Sequence, residues 1–539
     1  MKLALVQLNP IIGNLKYNFD CMKQQVEYCA KQDVSLVIFS ECVLTGYPPQ
    51  DLLLQNDFID AIHHYIDSIK LMSKAFPNIA ICFGTPFYND DRLFNSACVI
   101  KNGDLVFQQY KFNLPNYDIF DEKRYFSSSL KQDVFTLNGY RIGVTICEDA
   151  WANNSSLYKQ DPIDLLSRKP IDLLINLSAS PFEIGKDKTR LDLFKKHASF
   201  LGVPVVMVNQ VGGNDQLIFD GNSFSLLPNG DFLCSLSAFK EEVAFIDLSD
   251  KIILDTSYNN LSTIHCIHDA LILGIRDYVH KTGFKDVIIG LSGGIDSAVT
   301  CALAVNALGA NHVKGVSLPS QFSSEGSLVD AKGLADTLGI EYSVISIEAT
   351  YNQLLLDLSP TFNDLEPDVT EENIQARSRG VLLMAIANKF KALVLATGNK
   401  SELAMGYCTL YGDMCGALAV LADVSKTRVY ELAVYINRDS VVIPENSINK
   451  EPSAELRLNQ KDSDSLPSYD TLDAIITYYI EEGFSVTDII NQGYDKELVA
   501  KIIKTINLNE YKRFQAAIPL RITSKSFGMG RRFPIASNY

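Results

Sequence analysis

The sequence predicts two α/β domains, the second of them built on a doubly wound parallel sheet. The chain has 539 residues, and because a single hydrophobic core rarely grows beyond about 250–300 residues, at least two domains are expected. Short runs rich in Val and Ile alternate with amphipathic stretches, as strands and helices do in α/β proteins. The content of 47% hydrophobic and 21% charged residues is ordinary for globular protein and excludes disorder, collagen and coiled coil for most of the length.

The first domain is predicted to cover residues 1–250 and to contain a central sheet. Its predicted strands are apolar runs bounded by turn residues, at Val34–Phe39, Ile79–Gly84, Ala97–Ile100, Ile142–Cys147, Leu173–Leu177 and Val203–Val208. Amphipathic stretches at Asn18–Lys31 and Asp57–Ala75 are predicted helices. Polar, turn-rich residues follow, and we place a linker at residues 251–264.

The second domain, residues 265–539, repeats the order strand, loop, helix. Its predicted strands are Val287–Leu291, Val313–Leu318 and Ala392–Thr397, and its predicted helices are His265–Thr282, Ala298–Ala307, Ser327–Leu338 and Ser401–Ala404. This alternation predicts a parallel, doubly wound sheet. Two polar, proline-containing segments interrupt it, residues 359–373 and 450–468, and both are candidates for mobile lids.

Charge and cysteine usage narrow the class of protein. The net charge of −16 argues against broad binding of nucleic acid or of anionic membranes. No apolar run reaches the roughly 18–20 residues that a spanning helix needs, and the short N-terminal run Met1–Gln7 is no signal peptide. The 11 cysteines form no CxxC pair, which fits neither a disulfide scaffold nor a zinc ribbon. A soluble protein of the cytoplasm, with reduced thiols, is expected.

A glycine-rich loop, Ser292–Ser297 (SGGIDS), follows the predicted strand Val287–Leu291 directly. Gly293 and Gly294 let backbone amides approach an anion, the hydroxyls of the two serines add donors, and the following helix turns its positive end to the same point. The loop therefore predicts a pyrophosphate site. It is not the lysine-bearing nucleotide loop, because no GxxxxGK[ST] occurs in the chain. Asp296 offers a carboxylate for a magnesium ion that bridges phosphates.

This loop resembles the signature of the ATP pyrophosphatase superfamily, whose members cleave ATP to AMP and pyrophosphate while adenylating a substrate. Five further segments resemble, in order, those of NAD synthetase domains: Thr370–Arg377, placed before a helix, Thr397–Glu402, Tyr411–Asp413, Ser425–Thr427 and Lys450–Leu456. The resemblance implies an adenine nucleotide hydrolase-like fold that uses ATP as co-substrate and Mg²⁺ as cofactor.

The same resemblance implies roles for individual residues. The residues implied for binding ATP and pyrophosphate are Ser292, Gly293, Gly294, Asp296, Ser297, Thr397 and Lys426. The residues implied for binding deamido-NAD are Arg377, Asp413 and Glu402, with Gln375 beside them. Asp296 and Glu402 would share the magnesium ion. Taken singly, Glu402 could equally be a carboxylate at a helix start and Lys426 a solvated surface lysine.

Three chemically capable side chains in the first domain come directly after strand-like runs. Cys147 follows residues 141–146 on a sharp turn where its thiol is expected to be exposed, Glu41 ends the run 37–40, and Lys111 follows residues 105–107. A cysteine nucleophile needs a base to take its proton and a positive neighbour. The sequence does not show that the three converge. Cys42, next to Glu41, is the other candidate nucleophile. We assign it to the wall of the site, because it is not preceded by a strand and followed by a sharp turn as Cys147 is.

The order Glu41, Lys111, Cys147 is similar to that of the nitrilase, or carbon–nitrogen hydrolase, superfamily. The segments Thr45–Pro49, Phe120–Phe126 and Asn176–Pro181 resemble those of the glutaminase domains found in glutamine-dependent NAD synthetases. The resemblance implies an αββα sandwich, a Glu-Lys-Cys catalytic set, and glutamine binding by Tyr117, Ser178 and Ser180.

Together the resemblances imply an enzyme that takes glutamine, ATP and deamido-NAD, needs no nucleic acid or membrane, and forms a homo-oligomer. A basic segment near the C-terminus, residues 509–535, would contact a nucleotide or pack at an interface, unless it is a solvated tail. Three alternatives stay open: a glutamine-fed ligase that adenylates another acid, a transferase that modifies tRNA, and a binding protein with inactive sites.

Overall fold

The computed structural model describes residues 1–152, 157–249, 261–363, 365–458 and 460–537. The chain divides into two compact units, Met1–Leu261 and Ser262–Tyr539. Most of the predicted linker, residues 251–260, lies outside the described residues, and the first helix of the second unit begins at Thr263. Among the described residues, no helix combines the length and the apolar character needed to cross a bilayer.

The first unit contains two six-stranded sheets. Its strands are β1 (Lys2–Gln7), β2 (Leu36–Ile38), β3 (Ala80–Asn89), β4 (Arg92–Lys101), β5 (Asp104–Tyr110), β6 (Val134–Leu137), β7 (Tyr140–Ile146), β8 (Leu173–Ser178), β9 (Val205–Asn209), β10 (Val211–Asn214), β11 (Leu217–Asp220), β12 (Phe224–Leu226), β13 (Phe232–Ser235) and β14 (Glu242–Asp247). Its helices are α1 (Leu15–Ala30), α2 (Asn56–Ser73), α3 (Pro162–Ser167) and α4 (Lys186–Leu201). One sheet has the order β14-β1-β2-β3-β4-β5, the other β13-β12-β9-β8-β7-β6, and β10 pairs with β11.

Alternate residues of each strand face different layers, and this makes a four-layered sandwich. In β1, Leu3 and Leu5 belong to the apolar cluster between the two sheets, whereas Ala4 and Val6 belong to the cluster beneath α1 and α2. A third cluster joins the other face of the second sheet to α3 and α4. The order helix, sheet, sheet, helix confirms the αββα expectation, and the central sheet indicated by the apolar runs is a pair of sheets.

The second unit carries a sheet whose strands all run parallel, in the order β17-β16-β15-β18-β19-β20. Its strands are β15 (Val287–Gly290), β16 (Val313–Ser317), β17 (Glu341–Val344), β18 (Leu393–Ala396), β19 (Leu418–Ala419) and β20 (Ile518–Pro519). Its helices are α5 (Thr263–Lys281), α6 (Ile295–Leu308), α7 (Glu325–Leu338), α8 (Glu348–Phe362), α9 (Val369–Phe390), α10 (Lys400–Met405), α11 (Lys426–Ile436), α12 (Glu445–Asn449), α13 (Tyr469–Ile476), α14 (Val486–Asn491), α15 (Lys496–Leu508) and α16 (Glu510–Arg513).

The central strands of this sheet are covered on both faces, as a doubly wound fold requires. Ile288 of β15 packs in a cluster with side chains of α9, and its neighbours Val287 and Ile289, which point to the opposite face, are equally buried. Helix α6 contacts β15 and β16. The predicted doubly wound parallel sheet is therefore confirmed.

One of the two interruptions predicted in the second unit, residues 359–373, has a different structure from the one expected. Helix α8 continues to Phe362 and α9 begins at Val369, so most of the predicted lid at 359–373 is helical. The segment Thr370–Arg377, expected before a helix, is the start of α9, because Asp368 caps that helix and Glu371 closes the capping box.

The basic C-terminal segment contributes to the interior of the second unit. Lys512 Nζ donates to the carbonyls of Gly406 at 2.7 Å and Cys408 at 2.8 Å. Arg513 Nη1 donates to those of Leu403 and Ala404, both at 3.0 Å. These cations satisfy carbonyls at the C-terminal end of α10, where positive charge is favourable. These two residues are therefore not part of a solvated tail.

Candidate functional site

Glu41 and Lys111 form a buried ion pair in the first unit. Glu41 lies three residues past β2, Lys111 lies one residue past β5, and both are almost completely buried. Lys111 Nζ donates to Glu41 Oε1 at 2.7 Å, and the backbone N–H of Ala179, one residue past β8, donates to Glu41 Oε2 at 2.9 Å. Strand ends from both sheets thus meet at one carboxylate.

Cys147 lies on the sharp turn that the sequence predicts, but its thiol is buried. The residue follows β7 directly, its φ is 41°, and it is 7% exposed. Asp149 holds the turn, because it accepts hydrogen bonds from the N–H of Ile146 at 3.0 Å and from that of Asn113 at 2.8 Å. The same carboxylate therefore ties the turn that carries Cys147 to the segment that carries Lys111.

The electrostatic surroundings of Cys147 come from the same cluster. Burial, and then the negative charge of Glu41, raise the pKa of the thiol, while the ammonium of Lys111 opposes that rise. Burial disfavours the charged form of Lys111, but the carboxylates of Glu122 and Glu41 raise its pKa well above the usual value. The resting site therefore holds a neutral thiol beside a charged lysine and a carboxylate. Glu41, Lys111 and Cys147, separate in sequence, are brought together.

The second unit contains a cavity of about 310 Å³ at the carboxyl ends of its central strands. Of the residues predicted from the sequence, Ser292, Gly294, Asp296, Ser297, Thr397, Glu402, Asp413 and Lys426 line it. Helix α6 begins at Ile295, so its N-terminus faces the cavity. Ser292 Oγ accepts from the N–H of Gly294 at 3.2 Å and lies 3.2 Å from Ser297 Oγ. The loop is thus arranged as an anion cradle.

An ion-pair cluster crosses this cavity. Lys426 Nζ donates to Asp296 Oδ2 at 2.5 Å and to Glu402 Oε1 at 3.0 Å. Asn399 caps α10 and donates from Nδ2 to Asp296 Oδ1 at 2.9 Å. Burial raises the pKa of Glu402 to about 7, with repulsion from Asp296 adding to the rise and Lys426 opposing it.

Comparisons with known proteins follow the same division into two parts. The carbon-nitrogen hydrolase family model matches residues 2–253 and the NAD synthase family model matches residues 267–516. The chain is 44% identical to the glutamine-dependent NAD(+) synthetase of Acinetobacter baylyi, with 100% of this chain and 98% of that protein covered. The chain belongs to the glutamine-dependent NAD(+) synthetase family. The glutamine-dependent NAD(+) synthetase of Synechocystis is 43% identical, with 100% of this chain and 99% of that protein covered.

Solved structures agree with this membership. The glutamine-dependent NAD+ synthetase of Acinetobacter baumannii, in complex with ADP, has a TM-score of 0.78 at 42% identity, with 99% of this chain and 98% of that chain covered. The enzyme of Cytophaga hutchinsonii has a TM-score of 0.86 at 20% identity, with 100% and 98% covered, and shows the shared fold.

In this member of the glutamine-dependent NAD(+) synthetase family, a second buried glutamate joins the cysteine site. Lys111 Nζ donates to Glu122 Oε1 at 2.7 Å, and the Tyr47 hydroxyl donates to the same oxygen at 2.8 Å. Burial raises the pKa of Glu122 to about 7, and repulsion from Glu41 adds to the rise while Lys111 opposes it. The segment Phe120–Phe126 carried this residue, but nothing in its pattern assigned a role to Glu122.

The predicted glutamine-binding residues occupy two parts of this unit. Tyr117 donates its hydroxyl to Glu148 Oε1 at 3.0 Å, and Tyr158 donates to the same oxygen at 2.8 Å. Ser178 Oγ donates to Asn176 Oδ1 at 2.6 Å, at the end of β8. The N–H of Ser180, two residues further on, donates to Asn209 Oδ1 at 2.8 Å. Glu148 directly follows Cys147 in the sequence, and no role is predicted for it from the sequence.

Magnesium suits the donor set of the second cavity. Among the described parts of the chain, no group of three or more His, Cys, Asp or Glu side chains could hold a metal by itself. Mg²⁺ is usually bound through one or two carboxylates together with substrate phosphates and waters. Asp296 and Glu402, beside the phosphate loop, match that requirement.

Asp462 is a buried carboxylate in this cavity that the sequence reasoning missed. Its Oδ2 accepts from the Tyr469 hydroxyl at 2.7 Å, whereas its Oδ1 is buried and has no hydrogen-bond partner among the described residues. Burial raises the pKa of the Asp462 carboxyl. The segment 450–468 that carries it had been predicted only as a candidate lid.

Part of that segment is anchored to the start of helix α7. Glu455 Oε1 accepts from Ser327 Oγ at 2.7 Å and from Ser324 Oγ at 2.9 Å, and Lys450 Nζ donates to Ser327 Oγ at 3.1 Å. Residues 450–456 line the cavity.

The predicted deamido-NAD residues differ in their relation to the cavity. Asp413 and Glu402 line it. Arg377 is exposed, donates from Nε to the carbonyl of Leu410 at 3.2 Å, and is not among the residues that line the cavity. Arg379, two residues further along the same helix, does line the cavity. Gln375 is buried and donates to the carbonyl of Leu456 at 2.9 Å.

We expect Gly293→Ala to reduce ATP-dependent pyrophosphate release by about 100-fold, since a misplacement of about 1 Å in a binding loop can cost that much. Gly293 has a φ of +79°, and a Cβ there would lie 2.2 Å from the carbonyl oxygen of Ser327. The loop must therefore shift. Initial rates with saturating substrates measure the effect.

Gly309→Ala is the matched control, at the other end of the same helix. Gly309 has a φ of +87° and nothing within 4 Å of an added Cβ. This change should lower stability by about 1–3 kcal/mol through backbone strain and leave pyrophosphate release intact. Equal rates for the two variants would show that the Gly293 contact does not matter.

Proposed function

We propose that this chain hydrolyses glutamine in its first unit and uses the ammonia to amidate deamido-NAD in its second, where ATP is cleaved to AMP and pyrophosphate. The observation that carries the proposal is the convergence of Glu41, Lys111 and Cys147 in one buried cluster. The enzyme is then a ligase that forms a carbon–nitrogen bond with glutamine as amide donor, as its family membership indicates.

In the first unit, Cys147 is the nucleophile and Glu41 the base. Glu41 takes the thiol proton, the sulfur attacks the carboxamide carbon of glutamine, and Lys111 with neighbouring N–H groups stabilises the oxyanion. Loss of one such donor costs about 10²–10³-fold in rate. Glu41 returns the proton to the leaving ammonia, and water then hydrolyses the thioester. Three donors, Lys111 among them, already hold Glu41 in place.

Tyr117, Ser178 and Ser180 are proposed to hold the glutamine. Tyr117 lies on the side of Glu148, whereas Ser178 ends β8 and Ser180 follows two residues later, one on each side of Ala179 in the sequence. Support comes from their position around the residue that hydrogen-bonds to Glu41.

In the second unit, the loop Ser292–Ser297, together with Thr397 and Lys426, is proposed to bind the phosphates of ATP. The carboxylate of deamido-NAD attacks the α-phosphorus, pyrophosphate leaves, and ammonia then attacks the adenylated carboxyl carbon and displaces AMP. Mg²⁺ held by Asp296 and Glu402 would neutralise phosphate charge. Asp413, Glu402 and Arg377 are proposed for deamido-NAD, the last on family resemblance alone.

The runner-up is a glutamine-fed ligase that adenylates a different acid. The test is to supply the purified enzyme with Mg-ATP and ammonium chloride, add one carboxylic acid at a time, and measure pyrophosphate. We expect release with deamido-NAD, with one pyrophosphate for each NAD formed. No release with deamido-NAD, together with release on another acid, would contradict the proposal.

The remaining proposals concern the setting of the enzyme. We infer a cytoplasmic homo-oligomer whose partners are small molecules rather than nucleic acid or membrane. The net charge of −16, the free cysteines and the family resemblance support this.

A further inference from the structure

Asn95 occupies the centre of the cysteine site without belonging to the catalytic set. It lies on β4 and is completely buried. Its Nδ2 donates to Glu41 Oε1 at 2.7 Å and lies 3.5 Å from Glu122 Oε2, so one amide reaches both carboxylates. Its backbone carbonyl accepts from the N–H of Lys111 at 2.8 Å. One residue therefore contacts each member of the Glu41–Lys111–Glu122 cluster.

The neighbouring thiol fixes which way this amide points. Cys42 donates from Sγ to Asn95 Oδ1 at 3.6 Å. Burial, and then the charges of Glu41 and Glu122, raise the pKa of Cys42 well above its usual value, so the thiol stays a donor. Asn95 Oδ1 must accept that proton, and its NH₂ group is left facing the carboxylates. The other candidate nucleophile of the sequence thus has a structural role beside the base.

The hydrogen bonds around Glu41 divide its two oxygens. Among the described residues, Oε1 accepts from Lys111 and Asn95, whereas Oε2 accepts only from the N–H of Ala179, which leaves a lone pair of Oε2 open to a proton from Cys147. The charged or titratable groups that face Glu41 are Lys111, Glu122, Tyr47, Cys42 and Cys147. Two carboxylates here share one lysine, and the Asn95 amide is a neutral donor that reaches both of them.

We propose that Asn95 is a positioning residue for the glutaminase reaction: its amide holds Glu41 Oε1 and so leaves Oε2 directed to the thiol of Cys147. The inference rests on the proposed role of Glu41 as base. Among the described residues no hydrogen bond joins Asn95 to Cys147, so Asn95 acts through Glu41. Without its amide, the cluster of carboxylates takes up a proton at higher pH, and less of the base is in its active form at neutral pH.

The test compares pH profiles of Asn95→Leu and Asn95→Asp with that of the unsubstituted enzyme. In Asn95→Leu the acid limb of kcat/KM for glutamine hydrolysis should move to higher pH by about one unit, since a hydrogen bond to a charged group is worth roughly that much. Asn95→Asp keeps the shape but adds a third carboxylate beside Lys111, so its limb should move further.

The matched control is Asn18→Leu, which removes another buried amide of the same unit. Among the described residues, the hydrogen bonds of the Asn18 side chain go to the backbone of Ile11 and Leu44 and not to Glu41, Lys111 or Glu122. Its acid limb should stay in place even if its thermal stability falls. An unmoved limb in both Asn95 variants, or a rate lowered by the same factor at every pH, would overturn the positioning role.

A second readout requires no glutamine. Alkylation of Cys147 by chloroacetamide, followed by mass spectrometry across the same pH range, depends on the base and should show the same shift in both variants. If alkylation shifts while the unsubstituted enzyme hydrolyses no glutamine, the role of Asn95 stands and the proposed glutaminase activity falls. If hydrolysis occurs but neither profile shifts, the role of Asn95 falls alone. Should Asn95→Leu fail to fold, the isosteric Asn95→Asp decides.

Discussion

Cys147→Ala is expected to abolish glutamine-dependent NAD formation and to preserve ammonia-dependent formation. Removal of a covalent nucleophile costs on the order of 10⁴–10⁶-fold in rate. The thiol lies in the first unit beside Glu41 and Lys111, whereas the phosphate loop and its carboxylates lie in the second. NAD production is measured with each nitrogen source in turn, in the presence of Mg-ATP and deamido-NAD.

Cys29→Ala is the control for the loss of a buried thiol in the same unit. Cys29 is completely buried in the cluster beneath α1 and α2. Its alanine variant should retain both activities. If Cys147→Ala lost the two activities together while remaining folded, separate centres would be untenable.

Asp296→Ala is expected to abolish both activities, with a loss on the order of 10²–10³-fold or more, as for other electrostatic contacts to reacting groups. Its carboxylate lies at the start of α6, accepts from Lys426 and Asn399, and lines the cavity. Without it, Lys426 is left to Glu402 alone, and the proposed magnesium site would lose a ligand. Since the final amidation occurs here, the nitrogen source cannot matter.

Asp286→Ala is the control for the loss of an aspartate. Asp286 precedes β15, at the end opposite to the phosphate loop, and its carboxylate pairs with His312 near the surface. That variant should keep both activities. Retention of ammonia-dependent NAD formation by Asp296→Ala would place the ligase chemistry elsewhere.

The local sequence pattern was sufficient to predict the strands and helices that flank the sites. It was not sufficient to predict how those strands assemble into sheets. The runs at Ile142–Cys147 and Leu173–Leu177 are strands β7 and β8, as their apolar content predicts. Their pattern does not distinguish one sheet from two. A strand packed between helices and a second sheet is buried on both faces, and so is a strand packed between two layers of helices. Only the family resemblance indicated the sandwich.

The sites show the same limit. Residues with a chemical signature, such as Cys147 after a strand and Asp296 in a glycine-rich loop, were predicted from the sequence. Asn95 and Asp462 were not, because their roles depend on partners distant in sequence: Asn95 is 54 residues from Glu41. The thiol of Cys147 was expected to be exposed, but packing between the sheets buries it.

The central claim, that one centre liberates nitrogen and another consumes it, is tested most directly by following the nitrogen. The enzyme is given glutamine with an isotopically labelled side-chain amide together with unlabelled ammonium, and the NAD product is analysed by mass spectrometry. The account predicts labelled carboxamide from the unsubstituted enzyme and only unlabelled carboxamide from Cys147→Ala. Labelled NAD from Cys147→Ala would contradict it.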